Sequence, residues 1–209
     1  MKTDLTLLIE NGKGLFSKII VLGNSPAINK LDWEKVDELF SIGVNRIGYA
    51  YNPTILLWNV VFYNKPAKLV KKYKEVIDKT KSIKVCRNYE FTWNTPAEYT
   101  YNRVNEFSHE WNGGLVWDTA IFSALHLAML LTPKTIYIAG VDYLKDQYFW
   151  EDRARGKPYG ATVPTFNEDT FKLILNRFRE FKEACECEVL FCSKGRIPGF
   201  KVTGELNAK

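Results

Sequence analysis

The chain has 209 residues, 46% hydrophobic and 14% aromatic, with a net charge of +5 and a pI near 8.9. That length and apolar share suit one domain, 1–209, with a substantial core. They exclude a disordered chain and a short disulfide-stapled one. Of the four cysteines, Cys86 and Cys192 sit in apolar runs and read as buried thiols, while Cys185-Glu-Cys187 lacks the two-residue gap of a zinc knuckle. A reducing, cytoplasmic setting is expected. No N-terminal run is long and uncharged enough for a signal peptide or a membrane span.

In chain order, Leu5–Ile9 is expected as an edge strand, followed by a Gly12/Gly14 loop. Lys18-Ile-Ile-Val-Leu then reads as a strand buried on both faces, ending abruptly in Gly23-Asn24-Ser25-Pro26. Asp32 can cap a short helix with Trp33, Val36 and Phe40 on one face. Ser41–Ile47 reads as a second strand ending in Asn45-Arg46, and Leu56–Tyr63 as a third ending in Asn64-Lys65-Pro66. A helix follows, with Leu69, Val70, Tyr73, Val76 and Ile77 inward; eight lysines between Lys65 and Lys84 oppose only Glu75 and Asp78. Such a basic face suits solvent, and it could also meet nucleic acid, an anionic membrane or an acidic glycan.

Ser82–Cys86 reads as a short strand. The aromatic stretch from Tyr89 to Gly114 shows no clear element, which points to a functional or mobile segment. Asp118 or Thr119 caps a core helix through Leu131, and Thr135–Ala139 is a strand ending in Gly140-Val-Asp142. Tyr143–Pro164 is irregular, and its Gly156, Pro158 and Gly160 suit a lid over a ligand. Phe171, Ile174, Leu175, Phe178 and Phe181 mark an amphipathic helix, and Glu188–Cys192 a last strand. Strands alternating with helices predict an α/β fold: a three-layer, mostly parallel sheet with helices on both faces and a lid-like insertion.

In a parallel sheet the strand ends Gly23-Asn24-Ser25, Asn45-Arg46, Asn64 and Gly140-Val-Asp142 share one rim, where open α/β sheets bind ligands. Asparagine also serves turns and caps, so any one of these has a structural explanation. Three amides on one rim favour a site for a ribose, a base edge or a sugar.

Taken together, these residues resemble the bacterial lipooligosaccharide sialyltransferases. They also resemble the wider Rossmann-like group related to those enzymes, which includes pterin pyrophosphokinases and uncharacterised phage proteins. The matching stretches, in order, are Val21-Leu-Gly-Asn-Ser-Pro-Ala27, Gly43-Val-Asn45-Arg46, Val60-Val-Phe-Tyr-Asn64-Lys-Pro66, Asp118-Thr119-Ala120 and Thr135-Ile-Tyr-Ile-Ala-Gly-Val-Asp142-Tyr143. Ser25 stands where the family has a second glycine.

The resemblance implies a nucleotide or nucleotide-sugar site built from Gly23, Asn24, Ser25, Asn45, Asn64 and Thr119. It also implies that Tyr143 and Tyr148 stabilise a departing phosphate, without a metal or other cofactor. The family's general-base histidine after the second tyrosine is missing; Asp142, Glu151 and Asp152 are the carboxylate alternatives, and His109 matches no motif.

The expected activity is therefore glycosyl transfer from a nucleotide-sugar to a glycan, or to a modified phage DNA base through the basic face. A pterin or nucleotide diphosphotransferase and a non-catalytic nucleotide-binding module are the alternatives. A homo-oligomer stays open, and a dinucleotide oxidoreductase is disfavoured because no Gly-x-Gly-x-x-Gly follows the first strand.

Overall fold

A computed structural model describes residues 3–58, 71, 75, 77–87, 97–116, 119–141 and 168–208. Its strands are β1 (Thr3–Asp4), β2 (Lys18–Leu22), β3 (Phe40–Val44), β4 (Ile55–Trp58) and β5 (Ile83–Arg87), then β6 (Tyr99–Val104), β7 (Gly114–Val116), β8 (Thr135–Ala139), β9 (Glu188–Phe191) and β10 (Lys201–Val202). Nine of them lie side by side in the order β1-β6-β5-β4-β3-β2-β8-β9-β10, and β7 extends the pairing of β6. Every ladder is parallel, for example Leu22 opposite both Gly43 and Ala139. The fold is thus the expected open α/β sheet.

Side chains alternate across this sheet, which explains the continuous apolar runs. Ile19, Val21, Ile42, Val44, Ile136 and Ile138 enter a core beneath α1 (Thr6–Gly12), α3 (Ala120–Leu130) and α4 (Glu168–Ala184). Ile20, Leu22, Tyr137 and Ala139 enter a second core on the other face, with Ile28, Val36 and Ile47 from the turn at Pro26–Lys30, helix α2 (Trp33–Asp37) and the turn at Asn45–Tyr49. Helix α3 is buried along its whole length, as an apolar helix without a polar face must be. Helix α4 buries only Ile174, Phe178 and Phe181, and sets Phe178 edge-on to Phe122. No helix among the described residues is long and apolar enough to cross a membrane.

Several elements differ from the sequence expectation. Leu5–Ile9 is helical: Leu5 and Ile9, four apart, are buried, while Leu7 between them is 54% exposed. A strand would have put all three on one face. The strand expected to run to Ile47 stops at Val44, because Asn45 turns the chain with φ +49°. Phe40 begins β3 instead of ending the preceding helix, and the Asp32 side chain makes no capping bond. The region 89–114, expected to lack elements, supplies β6 and the start of β7; of β6 only Tyr101 is fully buried, so its alternation is faint in the sequence.

The C-terminal segment was not anticipated. It returns to the second core, where Leu206 is buried and Asp32 N donates to Leu206 O at 2.9 Å. Glu205 accepts from Lys18 Nζ at 2.9 Å and from Tyr137 Oη at 2.7 Å.

Candidate functional site

The chain leaves β2 to pair β3 on one side, and returns as β8 on the other. The carboxyl ends of β2 and β8 therefore form the switch point at which such sheets bind ligands. Gly23 N donates to Ala139 O at 2.8 Å and Ser25 N donates to Gly140 O at 2.9 Å, stitching the two strand ends together. A Cβ on Gly23 would lie 2.3 Å from the Gly140 carbonyl oxygen. Glycine is required here so that two backbones can meet, a stronger reason than the approach of a ligand. Ser25 Oγ accepts from Ala27 N at 3.3 Å and caps the turn that opens with Pro26. Ser25 therefore has a structural task.

Between them, Asn24 is different. Its Oδ1 is buried and has no hydrogen-bond partner among the described residues. Thr119 repeats the pattern at the N-terminus of α3: it occupies the N-cap with extended backbone, yet its side chain makes no cap bond and its Oγ1 is buried without a partner among the described residues. A threonine there ordinarily caps its helix. Because α3 leads into β8 of a parallel sheet, it runs against the strands and begins at their carboxyl rim, above β2, β3 and β4. A buried oxygen left unpaired costs about 1–3 kcal/mol, so two such atoms at one rim are a costly arrangement unless a ligand supplies the partners.

Asn45 ends β3 on the neighbouring strand. Its φ of +49° lies in the left-handed region that asparagine tolerates better than alanine. Asn45→Ala is expected to lose about 1–2 kcal/mol of stability through backbone strain, whereas Asn45→Gly keeps the turn and removes only the amide. Urea unfolding of both variants checks this, and the glycine variant is the proper probe of the amide in binding. If the two are equally stable, the turn does not need a left-handed residue.

The sequence places Arg46 on this rim with Asn45, but it does not single out Arg87. Arg46 follows Asn45, and Arg87 ends β5 with only 8% of its surface exposed. Burial draws the Arg87 guanidinium below its ordinary value; Tyr101 opposes this and Arg103 adds to it. The signal for Arg87 was positional: it follows Cys86, which pairs with the buried Trp58 that ends β4. Amide oxygens and guanidinium groups at the strand ends of one sheet suit a polar, anionic ligand.

Both histidines of the chain have structural tasks. His126, fully buried in α3, accepts from Val116 N at Nδ1 (3.0 Å) and donates from Nε2 to Ser108 O (2.9 Å). Burial pushes it down to about 4, so the ring is neutral. His109 hydrogen-bonds Ala184 O at the C-terminus of α4, which leads into the start of β9. That is the amino edge of the sheet, so His109 does not reach the carboxyl rim. Asn64, Asp142, Tyr143, Tyr148, Glu151 and Asp152, most of the Lys65–Lys84 face and the lid segment 143–164 lie outside the described residues.

No protein-family model matches the chain, and no curated protein matches it in sequence. Solved structures match its fold. An α-2,3/8-sialyltransferase CstII variant is 13% identical, with 92% of this chain and 89% of that one covered at a TM-score of 0.51. A second CstII variant, in complex with CMP, is 12% identical over 92% and 88% at 0.51. CstII from Campylobacter jejuni with the substrate analogue CMP-3FNeuAc is 13% identical over 92% and 88% at 0.49. The chain therefore has a sialyltransferase-like α/β fold, a likeness of architecture alone.

Proposed function

We propose that the chain is a nucleotide-sugar-dependent glycosyltransferase of the sialyltransferase kind, with the donor's nucleotide at the rim of Gly23, Asn24, Asn45, Asn64 and Thr119. The observation that carries this reading is the pair of orphaned oxygens, Asn24 Oδ1 and Thr119 Oγ1, beside the switch point of β2 and β8. Oδ1 of Asn24 would accept from a sugar hydroxyl or a base amino group, and Oγ1 of Thr119 would donate to a phosphate or hydroxyl oxygen. The CMP held by one CstII variant of the same fold makes a cytidine nucleotide the first candidate. In this reading Tyr143 and Tyr148 donate to the departing phosphate as its charge develops, and Asp142 or Asp152 takes the acceptor's proton. No metal is needed for either step.

The test is thermal unfolding of the parent, Asn24→Ala and Thr119→Val with cytidine, uridine, guanosine and adenosine monophosphates. A nucleotide at ~100 times its dissociation constant adds about 2.7 kcal/mol of apparent stability to the parent. Both variants should bind it about 1–3 kcal/mol more weakly, and should be no less stable than the parent without it, because each removes an unpaired oxygen. Unchanged binding together with lower stability would place both side chains in the packing and refute the site.

A non-catalytic nucleotide-binding module is the second reading, favoured by the structural occupation of both histidines. Release of CMP from a CMP-sugar separates the two. A transferase should turn over in excess chelator and slow on Tyr148→Phe, whereas activity lost to chelator and restored by Mg²⁺ indicates the diphosphotransferase alternative.

A further inference from the structure

The turn joining α4 to β9 carries chemistry that the rim does not use. Cys185 and Cys187 are both free and half-buried, and their sulfurs stand 2.8 Å apart, within about 0.8 Å of the length of a disulfide bond. The other two cysteines, Cys86 and Cys192, are buried in the cores, Cys192 beside the C-terminal segment through Asn207 Nδ2 donating to its carbonyl at 3.2 Å. The fold also brings in a group that the sequence spacing hid. His109 approaches Glu186, the residue between the two cysteines, with Nε2 4.0 Å from Oε1, while the same ring holds the Ala184 carbonyl. The turn is anchored on both sides, by Cys185 N donating to Phe181 O at 2.9 Å and Glu188 N donating to Lys134 O at 3.0 Å. Among the described residues no group of three histidine, cysteine or acidic side chains is placed to hold a metal ion. Two sulfurs in contact, reachable from solvent and fixed in place, are instead arranged for thiol–disulfide exchange.

We propose that Cys185 and Cys187 form a redox-active dithiol that reacts with low-molecular-weight disulfides, Cys185 attacking and Cys187 resolving. The Cys185 thiolate attacks one sulfur of the disulfide RSSR, forming a mixed disulfide and releasing one RS⁻. Cys187 loses its proton and attacks the Cys185 sulfur of the mixed disulfide, releasing the second RS⁻ and closing the Cys185–Cys187 bond. The thiolates released take up the two protons that the protein thiols gave. In sum the protein dithiol is oxidised by two electrons, and RSSR is reduced to two RSH. The order follows from the contact between the sulfurs: the Cys187 thiol donates to Cys185 and holds it below its ordinary value, and that same contact with burial pushes Cys187 up.

The test exposes the reduced chain to glutathione disulfide and reads intact mass, free thiols and a peptide map. Wild type should lose two of its four thiols, with the lost pair mapped to 185 and 187 and no glutathione retained. Cys187→Ser should accumulate a glutathione adduct on Cys185, and Cys185→Ser should react about tenfold more slowly. Retention of all four thiols, pairing through Cys86 or Cys192, or equal reactivity of the two serine variants would each overturn the proposal. The wild-type map stands by itself should a serine variant fail to fold.

Discussion

Gly23→Ala should cost about 3 kcal/mol or more of stability, placing it in the severe tail of single substitutions. The new Cβ would stand 2.3 Å from the Gly140 carbonyl oxygen, 2.9 Å from its carbon and 2.7 Å from Val141 Cγ2. The first two are backbone atoms and cannot turn aside. Relief requires the β2 and β8 ends to separate, which breaks the Ser25 N bond to Gly140 O. Gly140→Ala should do similar damage from the other side, because its φ is +69° and its Cβ would meet Ile28 Cγ2 at 2.4 Å and Gly23 C at 2.9 Å. Either change opens the same contact, so the double variant should lose less than the sum of the two. Gly14→Ala supplies the control: its φ is +76° but nothing lies within 4 Å of its Cβ, so it reports backbone strain alone, about 1–2 kcal/mol. Urea unfolding of the four variants measures all of this. A Gly23→Ala protein within about 0.5 kcal/mol of wild type would show that the strand ends do not need this contact, and the glycine would revert to a ligand's neighbour.

The order of elements was legible because burial on both faces writes continuous apolar runs. Thr135–Ala139 was read to the residue, and β2 from the abrupt change at Gly23. Helix α3 was legible for a related reason, since polar interruptions such as Ser123 and His126 bond internally: Ser123 Oγ donates to Val116 O at 2.8 Å. Less visible were the elements whose burial is partial. β6 pairs β5 along its first half and β7 along its second, and only one residue of it is fully buried. Leu5–Ile9 was ambiguous because four apolar residues in five fit either period, and the exposure of Leu7 decides between them.

At the rim the sequence marked the strand ends but could not divide the labour among their residues. Gly23 serves the contact with Gly140, Ser25 caps and Asn45 turns, whereas Asn24 and Thr119 carry buried oxygens with no partner among the described residues. That division depends on atoms distant in sequence, and no spacing encodes it. The meeting of His109 with Glu186 is hidden for the same reason.

Folding stability should fall as the pH drops from about 6.5 toward 4, by as much as about 3 kcal/mol, through His126 alone. The ring is enclosed by α3, the end of β7 and Ser108, with Phe107 edge-on at 5.5 Å. A proton added to Nδ1 would face the Val116 N–H that now donates to it, and the charge would be held away from water. Burial therefore depresses the folded value to about 4, against an ordinary 6.5. Between those limits the unfolded chain binds the proton and the folded chain does not. The stabilisation is thus complete above about pH 6.5 and is lost as pH falls toward 4. Glu205 and Asp4 also sit below their ordinary values, Glu205 through Lys18 and Tyr137 and Asp4 through Thr6, but theirs is lost only at more acid pH. His126→Leu isolates the effect. At pH 7 it should cost about 2–4 kcal/mol, since Val116 N–H and Ser108 O lose their buried partner, and its deficit against wild type should shrink as pH approaches 4. Urea titrations of both proteins at roughly half-unit intervals from about pH 7.5 to about 4.5 measure this. Parallel curves would mean that the ring takes up its proton in the fold at the same pH as in the unfolded chain, in which case the contacts that fix α3 against β7 would have to be drawn differently.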